Sequence, residues 1–402
     1  MTTDALRTDR PSRKDLGRFL SNSGVLSSDW APTFAALDRA LFLPGLMWPY
    51  DMGARASVPV HREHNADAWY EAADSDVPIV TQWDDGTHDG PGPGALPTSS
   101  SSMPSVVYSL LHDLDVEEGM RVLDVGTGTG ETAGALAHRL GGENVTTIEV
   151  DPSVSATAHG RLSQVGLRPH VVVGDGFKGH RDTAPYDRIL ATVGIRSVPP
   201  NWIAQTRAGG VILAPWGTLY SNLDAMVRLK VTGDEAVGSF TRSVEFMKLR
   251  AQRGPEVHHS GYLSAGPLEG AERTTTDLTE EELIAGRFAD LQFVLGLRVP
   301  QCRQSVADKR DGQRPVWFYG LADRSWACVM FRDGERHASV WQSGPRRLWD
   351  EVAAAYRWWR SQGSPELTRF GLTATESGQY VWLEDPANEP WPLDQPTRRS
   401  RA

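Results

Sequence analysis

Only two cysteines, Cys302 and Cys328, occur in 402 residues, too few for a disulfide framework. No apolar run approaches the length that spans a bilayer, and the polar N-terminus carries no apolar signal segment. These absences lead us to expect a protein of the reducing cytoplasm with no membrane partner. Acids outnumber bases, 51 Asp and Glu against 41 Lys and Arg, for a formal charge of −10. With no long basic run either, nucleic acid is not expected as a partner. His61, Glu63 and His64 lack a third ligand in a helical context, so they read as a solvated loop and no metal is expected.

What is present centres on Arg121-Val-Leu-Asp-Val-Gly-Thr-Gly-Thr-Gly130. An apolar run stops at three glycines, and the helix formers Glu131 to Leu140 follow, closed by Gly141-Gly142. A strand, a tight glycine turn and a helix start place backbone N–H groups against a ligand. The glycines permit a sharp turn and a close approach to the backbone. Val145–Ile148 is a second strand and ends in Glu149, an acid about 20 residues past the loop and suited to ribose hydroxyls. After the strand Val171–Val173 comes Gly174-Asp175-Gly176, whose acid can accept from an adenine amino group. A dinucleotide fingerprint would want glycine where Glu131 stands. The pattern Asp-x-Gly-x-Gly-x-Gly from Asp124 is instead usual for S-adenosylmethionine, which has no pyrophosphate to seat.

The rest of the chain divides by composition. Residues 1–28 are polar and serine-rich and read as a loose arm. Trp30 to Leu43 has helical spacing. Val77–Val80 reads as a strand, and Asp84 to Pro97, rich in Gly, Pro and Asp, as an irregular insertion that is either a lid or a tolerated loop. The run Thr98-Ser-Ser-Ser-Ser102-Met-Pro104 precedes a helix and is either its polar cap or a set of hydroxyls facing the glycine loop. Asp151-Pro152 starts a helix reaching about Val165. Alternating strands and helices through Ala214 predict a parallel sheet covered on both faces. Met226–Val231 and Ser243–Leu249 read as antiparallel strands, and a boundary is placed at Arg253. Beyond it, Glu280–Leu297 reads as helix, Pro315–Tyr319, Ala327–Arg332 and Gly378–Leu383 as strands, and Leu348–Trp359 as a helix ended by Gly363. Eight of 14 tryptophans lie between Trp317 and Trp391, which suggests core of a separate unit. The division is thus an arm over 1–28, a catalytic domain over 29–253 with the insertion 84–97, and a Trp-rich accessory domain over 254–402.

The order Ser102-x-Pro104, Asp124 glycine loop, Glu149, Gly174-Asp-Gly176, Ala184-Pro-Tyr-Asp187 and Gly209-Gly-Val-Ile-Leu-Ala-Pro215 resembles protein-L-isoaspartate O-methyltransferases. So does Phe34-Ala-Ala-Leu-Asp-Arg-Ala-Leu-Phe-Leu-Pro44. The resemblance covers about 30–250. It implies a class I S-adenosylmethionine-dependent methyltransferase fold, an α/β Rossmann-like and mostly parallel sheet, with an additional α+β C-terminal domain. It further implies cofactor contacts from Asp124, Gly126, Thr127, Gly128, Gly130, Glu149, Val150, Gly174, Asp175 and Gly176. The substrate carboxylate would meet Ser102, with Ser101 and Ser100 beside it. The substrate backbone would lie along Thr192, Val193 and Gly194, with Arg196 either holding acidic groups or solvated.

Two departures stand out. The family usually has Thr-Ile-Ser where this chain has Ser100-Ser101-Ser102, and the chain adds the 84–97 insertion and about 150 C-terminal residues. These features resemble the actinobacterial branch found with ribosomal peptide natural products of lanthipeptide, lasso or graspetide type. That branch implies methylation of an aspartate in an often macrocyclic precursor peptide, collapse of the ester to a succinimide (aspartimide), and opening to isoaspartate. Repair of aged proteins is the alternative. A non-catalytic peptide-binding relative, or a methyltransferase for RNA or a small metabolite, are readings from other classes.

Overall fold

The computed structural model describes residues 10–263, 270–284, 286, 288–388 and 390–393. The chain divides into two compact units, one holding residues up to 193 together with 201–213, the other 194–200 together with all from 214.

The first unit begins with α1 (Pro11–Asn22) and α2 (Ala31–Ala36). The described part of the expected arm is therefore ordered helix, and residues 1–9 lie outside the described residues. What holds it is Arg10, whose guanidinium binds Asp38 at 2.8 and 2.9 Å and Asp74 at 2.6 and 2.7 Å. All three residues are buried. The helix expected over Trp30–Leu43 breaks after α2. Leu37 is extended, and Asp38 accepts from Ala40 N to cap a 3-10 turn over Arg39–Phe42. Propensity permitted one helix. The two contacts of Asp38, local cap and distant Arg10, decide otherwise.

A small antiparallel sheet follows. Its strands are β1 (Leu46–Asp51), β2 (Ala56–Ser57) and β3 (Val60–His61), then, after α3 (Ala66–Ala73), β4 (Ile79–Trp83) and β5 (Pro97–Ser101). Strand β1 pairs with β2, β3 and β4, and β4 pairs with β5. The insertion 84–97 is thus the tip of a β4–β5 hairpin. Its loop closes on itself: the Asp84 carboxylate accepts from Ala95 N and Leu96 N at 3.0 and 2.6 Å, and Trp48 Nε1 donates to Pro91 O at 2.8 Å.

Next come α4 (Pro104–Leu114), β6 (Val122–Val125), α5 (Glu131–Leu140), β7 (Val145–Glu149), α6 (Pro152–Gln164), β8 (His170–Val173), β9 (Tyr186–Ala191), α7 (Pro200–Gln205) and β10 (Thr206–Gly217). In the first unit the strands run parallel in the order β8–β7–β6–β9–β10. Each helix is punctuated as its sequence dictates. Gly130 and Gly141 sit at positive φ on either end of α5, and Asp151 caps α6 by accepting from Ser153 N and Val154 N. The chain reverses direction across the sheet at β6, so the carboxyl ends of β6 and its neighbours frame the crevice where ligands bind in such folds.

The second unit contains β11 (Asp224–Thr232), β12 (Glu235–Val244), β13 (Glu272–Thr276), α8 (Glu280–Leu283), α9 (Asp290–Arg298), β14 (Cys302–Val306), β15 (Gln313–Gly320), β16 (Trp326–Arg332), β17 (Ala338–Ser343), α10 (Leu348–Ser361), β18 (Phe370–Thr375), β19 (Gln379–Leu383) and β20 (Trp391–Leu393). Strands β11–β12–β18–β19–β20 form one antiparallel series, and β13–β17–β16–β15–β14 a five-stranded sheet. Helices α9 and α10 supply Leu291, Leu295, Leu348, Val352 and Tyr356 to a core shared with Val316, Phe318, Val329 and Val340 of that sheet. Of the eight tryptophans read as core, Trp326, Trp349 and Trp382 are buried, and Trp317, Trp341, Trp358, Trp359 and Trp391 are half-buried.

The boundary expected at 253 lies elsewhere because β12 is sealed by β18, from Glu235 opposite Thr375 to Ser239 opposite Gly371. Residues 224–244 therefore belong with the C-terminal chain. The single helix expected over Glu280–Leu297 is two, the first opened by a capping box between Thr279 and Glu282 and ending at Leu283. The strand expected over Ser243–Leu249 ends at Val244.

Removing one partner of a buried ion cluster strands the others. Arg10→Ala should therefore destabilise the protein by about 3–5 kcal/mol, read as a lower midpoint in denaturant. An unchanged midpoint would show that α1 is held by something other than this guanidinium.

Candidate functional site

Strand β6 is buried throughout and delivers the glycine turn to the carboxyl edge of the sheet. The three glycines have different reasons to be glycine. Gly126, Gly128 and Gly130 all have positive φ, 101°, 53° and 92°, which a side chain strains. A Cβ on Gly126 would stand 2.7 Å from Val193 Cγ1, and one on Gly130 3.3 Å from Ala158 Cβ. At these two positions the protein itself, not a ligand, needs the space. At Gly128 the nearest atom is Ser100 O, at 3.4 Å, an ordinary contact, so there the positive φ rather than a clash calls for glycine.

Asp124, fully buried, accepts from Thr147 Oγ1 at 2.7 Å, and Thr147 in turn lies 2.6 Å from Thr127 Oγ1. Its second oxygen, Oδ1, has no hydrogen-bond partner among the described residues. Burial, opposed by the Thr147 bond and reinforced by Glu149, pushes the carboxyl up to about 7. Glu149 ends β7 and accepts from Gly128 N at 3.0 Å and Asp151 N at 3.1 Å. It thereby pins the middle of the glycine turn while each oxygen keeps a lone pair to offer. Val150 beside it is 38% exposed. Asp175 accepts from Phe177 N at 3.0 Å through Oδ1, and Gly174 N bonds Glu149 O at 2.8 Å. The ends of β6, β7 and β8 thus gather Asp124, Thr127, Glu149, Val150 and Asp175 around the turn.

The serine run is strand, not helix cap. Met103 occupies the cap of α4 and makes no side-chain bond there. Strand periodicity sorts the hydroxyls: Ser99 and Ser101 are buried, Ser100 and Ser102 half-buried. Ser101 Oγ accepts from Arg39 Nε at 2.9 Å and donates to Glu131 Oε2 at 2.8 Å. With its hydroxyl so committed, Ser101 is withdrawn from the substrate role its position suggested. Ser102 Oγ has no hydrogen-bond partner among the described residues, while Ser102 O accepts from Arg39 at 2.9 Å. The hairpin reaches further along the same edge through Gln82, whose amide donates to Asp151 Oδ2 at 3.2 Å.

Thr192 Oγ1 donates to Gly126 O at 2.9 Å, and Thr192 and Val193 are half-buried. Gly194 and Arg196 belong to the second unit. Arg196 is buried, and its guanidinium donates to Thr218 O and Gln252 O. At 8% exposure, with Nε and Nη1 bonded to backbone carbonyls of its own unit, Arg196 is not a solvated arginine. Arg39 and Glu131 are the residues sequence reasoning did not assign to the site. Arg39 lies in the stretch that carried the family resemblance, but nothing local showed where it would reach.

The site fits an adenosine-bearing sulfonium. Three carboxylates, Asp124, Glu149 and Asp175, surround the turn, which suits hydroxyl and amino donors and a cation and opposes a pyrophosphate. Glu149 and Asp175 would hold ribose and adenine, beside a Gly128 that is half-buried.

The chain is similar to known proteins of one family. The family model for protein-L-isoaspartate(D-aspartate) O-methyltransferase matches residues 54–254. The protein-L-isoaspartate O-methyltransferase of Thermococcus onnurineus is 41% identical over 133 residues, 32% of this chain and 60% of that protein. The one from Methanococcus maripaludis strain C5 is 35% identical over 151 residues, 37% of this chain and 70% of its own. With Thermotoga maritima the figures are 29%, 37% and 48%. The chain thus spans about half to two thirds of the curated relatives it matches. A solved protein-L-isoaspartate O-methyltransferase, 21% identical, superposes with a TM-score of 0.51 over 93% of this chain and 100% of its own. That likeness concerns fold alone, and it extends into the C-terminal half. A C-terminal region therefore does not by itself set this chain apart, as its length had suggested.

Because the folded state raises the Asp124 pKa, ionising it costs stability: the contribution is complete below about pH 4 and lost as pH rises through about 7. Asp124→Asn should escape that loss. Its stability relative to the parent should rise between about pH 4 and pH 8 by up to roughly 4 kcal/mol, read from urea midpoints of ligand-free protein. A difference that does not change with pH would place the charge elsewhere.

Proposed function

We propose, since the chain belongs to the protein-L-isoaspartate(D-aspartate) O-methyltransferase family, that it is an S-adenosylmethionine-dependent carboxyl O-methyltransferase acting on isoaspartyl residues of proteins or peptides. The observation that carries this is the set of acceptors at the carboxyl ends of β6, β7 and β8, with Glu149 pinning Gly128 N at 3.0 Å, strand β5 meeting the same glycine through Ser100 O, and the unpartnered Ser102 hydroxyl two residues further on. When bound, S-adenosylmethionine supplies a methyl group activated by a sulfonium. Glu149 and Asp175 orient the nucleoside by accepting its hydroxyl and amino protons. Ser102 donates to the substrate carboxylate, which is already ionised at neutral pH because such groups titrate near about 4. No general base is needed. The work of the chain is alignment and exclusion of water, and the β4–β5 hairpin, tied to Asp151 by Gln82, is placed to do part of it. Thr192 and Val193 are proposed to border the substrate backbone.

A finer reading places the carboxylate on an aspartate of a constrained ribosomal peptide, with the ester closing to a succinimide. Ser100-Ser101-Ser102 and the ordered hairpin tip at 84–97 motivate it. The relatives favour isoaspartyl protein, and we rank that first. The two part cleanly in a labelled-methyl assay on three matched peptides: linear isoaspartyl, linear aspartyl and cyclised aspartyl. Preference for the linear isoaspartyl peptide supports the first reading. Preference for the cyclised aspartyl peptide, with a transient gain of one methylene and then a net loss of water by mass, would replace it with the second. Transfer to none would favour a peptide-binding relative without catalysis.

Two substitutions test the residue roles. Glu149→Ala should weaken S-adenosylhomocysteine binding by roughly 1–3 kcal/mol, measured by calorimetry, and an unchanged affinity would misplace the site. Ser102→Ala should lower kcat by roughly ten- to a hundredfold with cofactor affinity intact, and full turnover would remove the serine from the reaction.

A further inference from the structure

The transfer mechanism gives no task to one half-buried acid beside the glycine turn. Glu131, the first residue of α5, directly follows the glycine turn. Its carboxylate accepts from Ser101 Oγ at 2.8 Å and lies 3.7 Å from Arg39 Nε. Arg39 spends its remaining donors on Ser75 O, Val77 O, Ser101 O and Ser102 O, at 2.9–3.2 Å. The serine strand is therefore already fastened by its backbone. What Glu131 adds is a fixed rotamer for Ser101 and a charge that faces Arg39. The other ionisable neighbours are Asp38, from the turn preceding Arg39, and Tyr108 of α4.

We propose that Glu131 is a positioning residue of the transferase reading above. Its carboxylate holds β5, through Ser101 and Arg39, in the setting that keeps Ser100 O at Gly128 and the Ser102 hydroxyl available to substrate. The inference rests on the function proposed for that site, but its geometry does not. Only the ionised acid completes the node. Ser101 already accepts from Arg39, so its single proton must go to Glu131, and a protonated Glu131 offers a poorer acceptor and no charge to the guanidinium. Burial raises the Glu131 pKa above the usual carboxylate range, against the opposing pull of Arg39 and Ser101. Loss of the node on acidification therefore falls at higher pH than an exposed glutamate would give.

Glu131→Gln keeps the shape and an acceptor oxygen and removes the titration. We expect kcat/KM of the parent to exceed that of the variant about tenfold near pH 8, the worth of one charge-assisted hydrogen bond, with the ratio falling towards one on acidification. Titration of Asp124 and of the substrate is common to both proteins and cancels in the ratio. A second readout needs neither cofactor nor turnover: hydrogen-exchange protection of the Ser100, Ser101 and Ser102 amides. In the parent it should fall several-fold more on acidification than in Glu131→Gln. Thermal stability alone would not distinguish these states. If both ratios are independent of pH, the proposal is overturned and Glu131 is packing only. If exchange shows the contrast while the parent methylates no carboxyl peptide, the positioning holds and the function assigned to the site fails.

Discussion

A buried guanidinium needs a full set of acceptors, because an unpaired charge in the interior costs several kcal/mol. Arg39 meets that demand in an unusual way. One carboxylate stands nearby, but most of its donors go to the backbone carbonyls of Ser75, Val77, Ser101 and Ser102. Those carbonyls come from the loop between α3 and β4 and from the end of β5 and the residue after it, so satisfying one side chain draws two distant segments together. The same residue is carried by a turn that Asp38 caps, and Asp38 is itself held by Arg10. A chain of polar contacts thus runs from the start of α1 to the edge of the glycine turn.

Around that turn the charges are mostly negative. Asp124 is buried and pushed towards neutrality, Glu149 is steadied by two backbone N–H groups, and Glu131 opens α5. An acid in the first helical turn complements the helix dipole, while an unpartnered buried oxygen on Asp124 opposes folding. The site is thus stabilised at Glu149 and costs stability at Asp124. That uneven distribution is typical where binding, rather than folding, decides which residue stands at a position.

The second unit has a core of its own and pairs several of its charges internally. Asp224 accepts from Lys248 Nζ at 2.6 Å, and Arg196 is spent on Thr218 and Gln252 carbonyls. Its tryptophans on strands and on α10 line cores or pack as pairs, such as Trp358 with Trp391 at 5.6 Å between ring centroids. The charged residues at its start therefore read as structural in the fold, whatever their spacing promised.

The sequence by itself determined what depends on neighbours in the chain. The parallel strands, the glycine turn, the caps at Asp151 and Gly141 and the acids at Glu149 and Asp175 all follow from local runs, positive φ and capping chemistry. Tertiary structure alone decided the rest. Residue spacing could not show that Ser101 meets Arg39 across 62 residues and Glu131 across 30, so three serines looked alike until strand pairing gave them opposite faces. Nor could composition reveal that β18 seals β12, which moved the boundary between units, or that Asp38 ends a helix. Local signals fix a residue's conformation. Which polar groups satisfy one another when buried is settled only when distant segments pack, because a donor leaving water accepts whatever partner the fold brings.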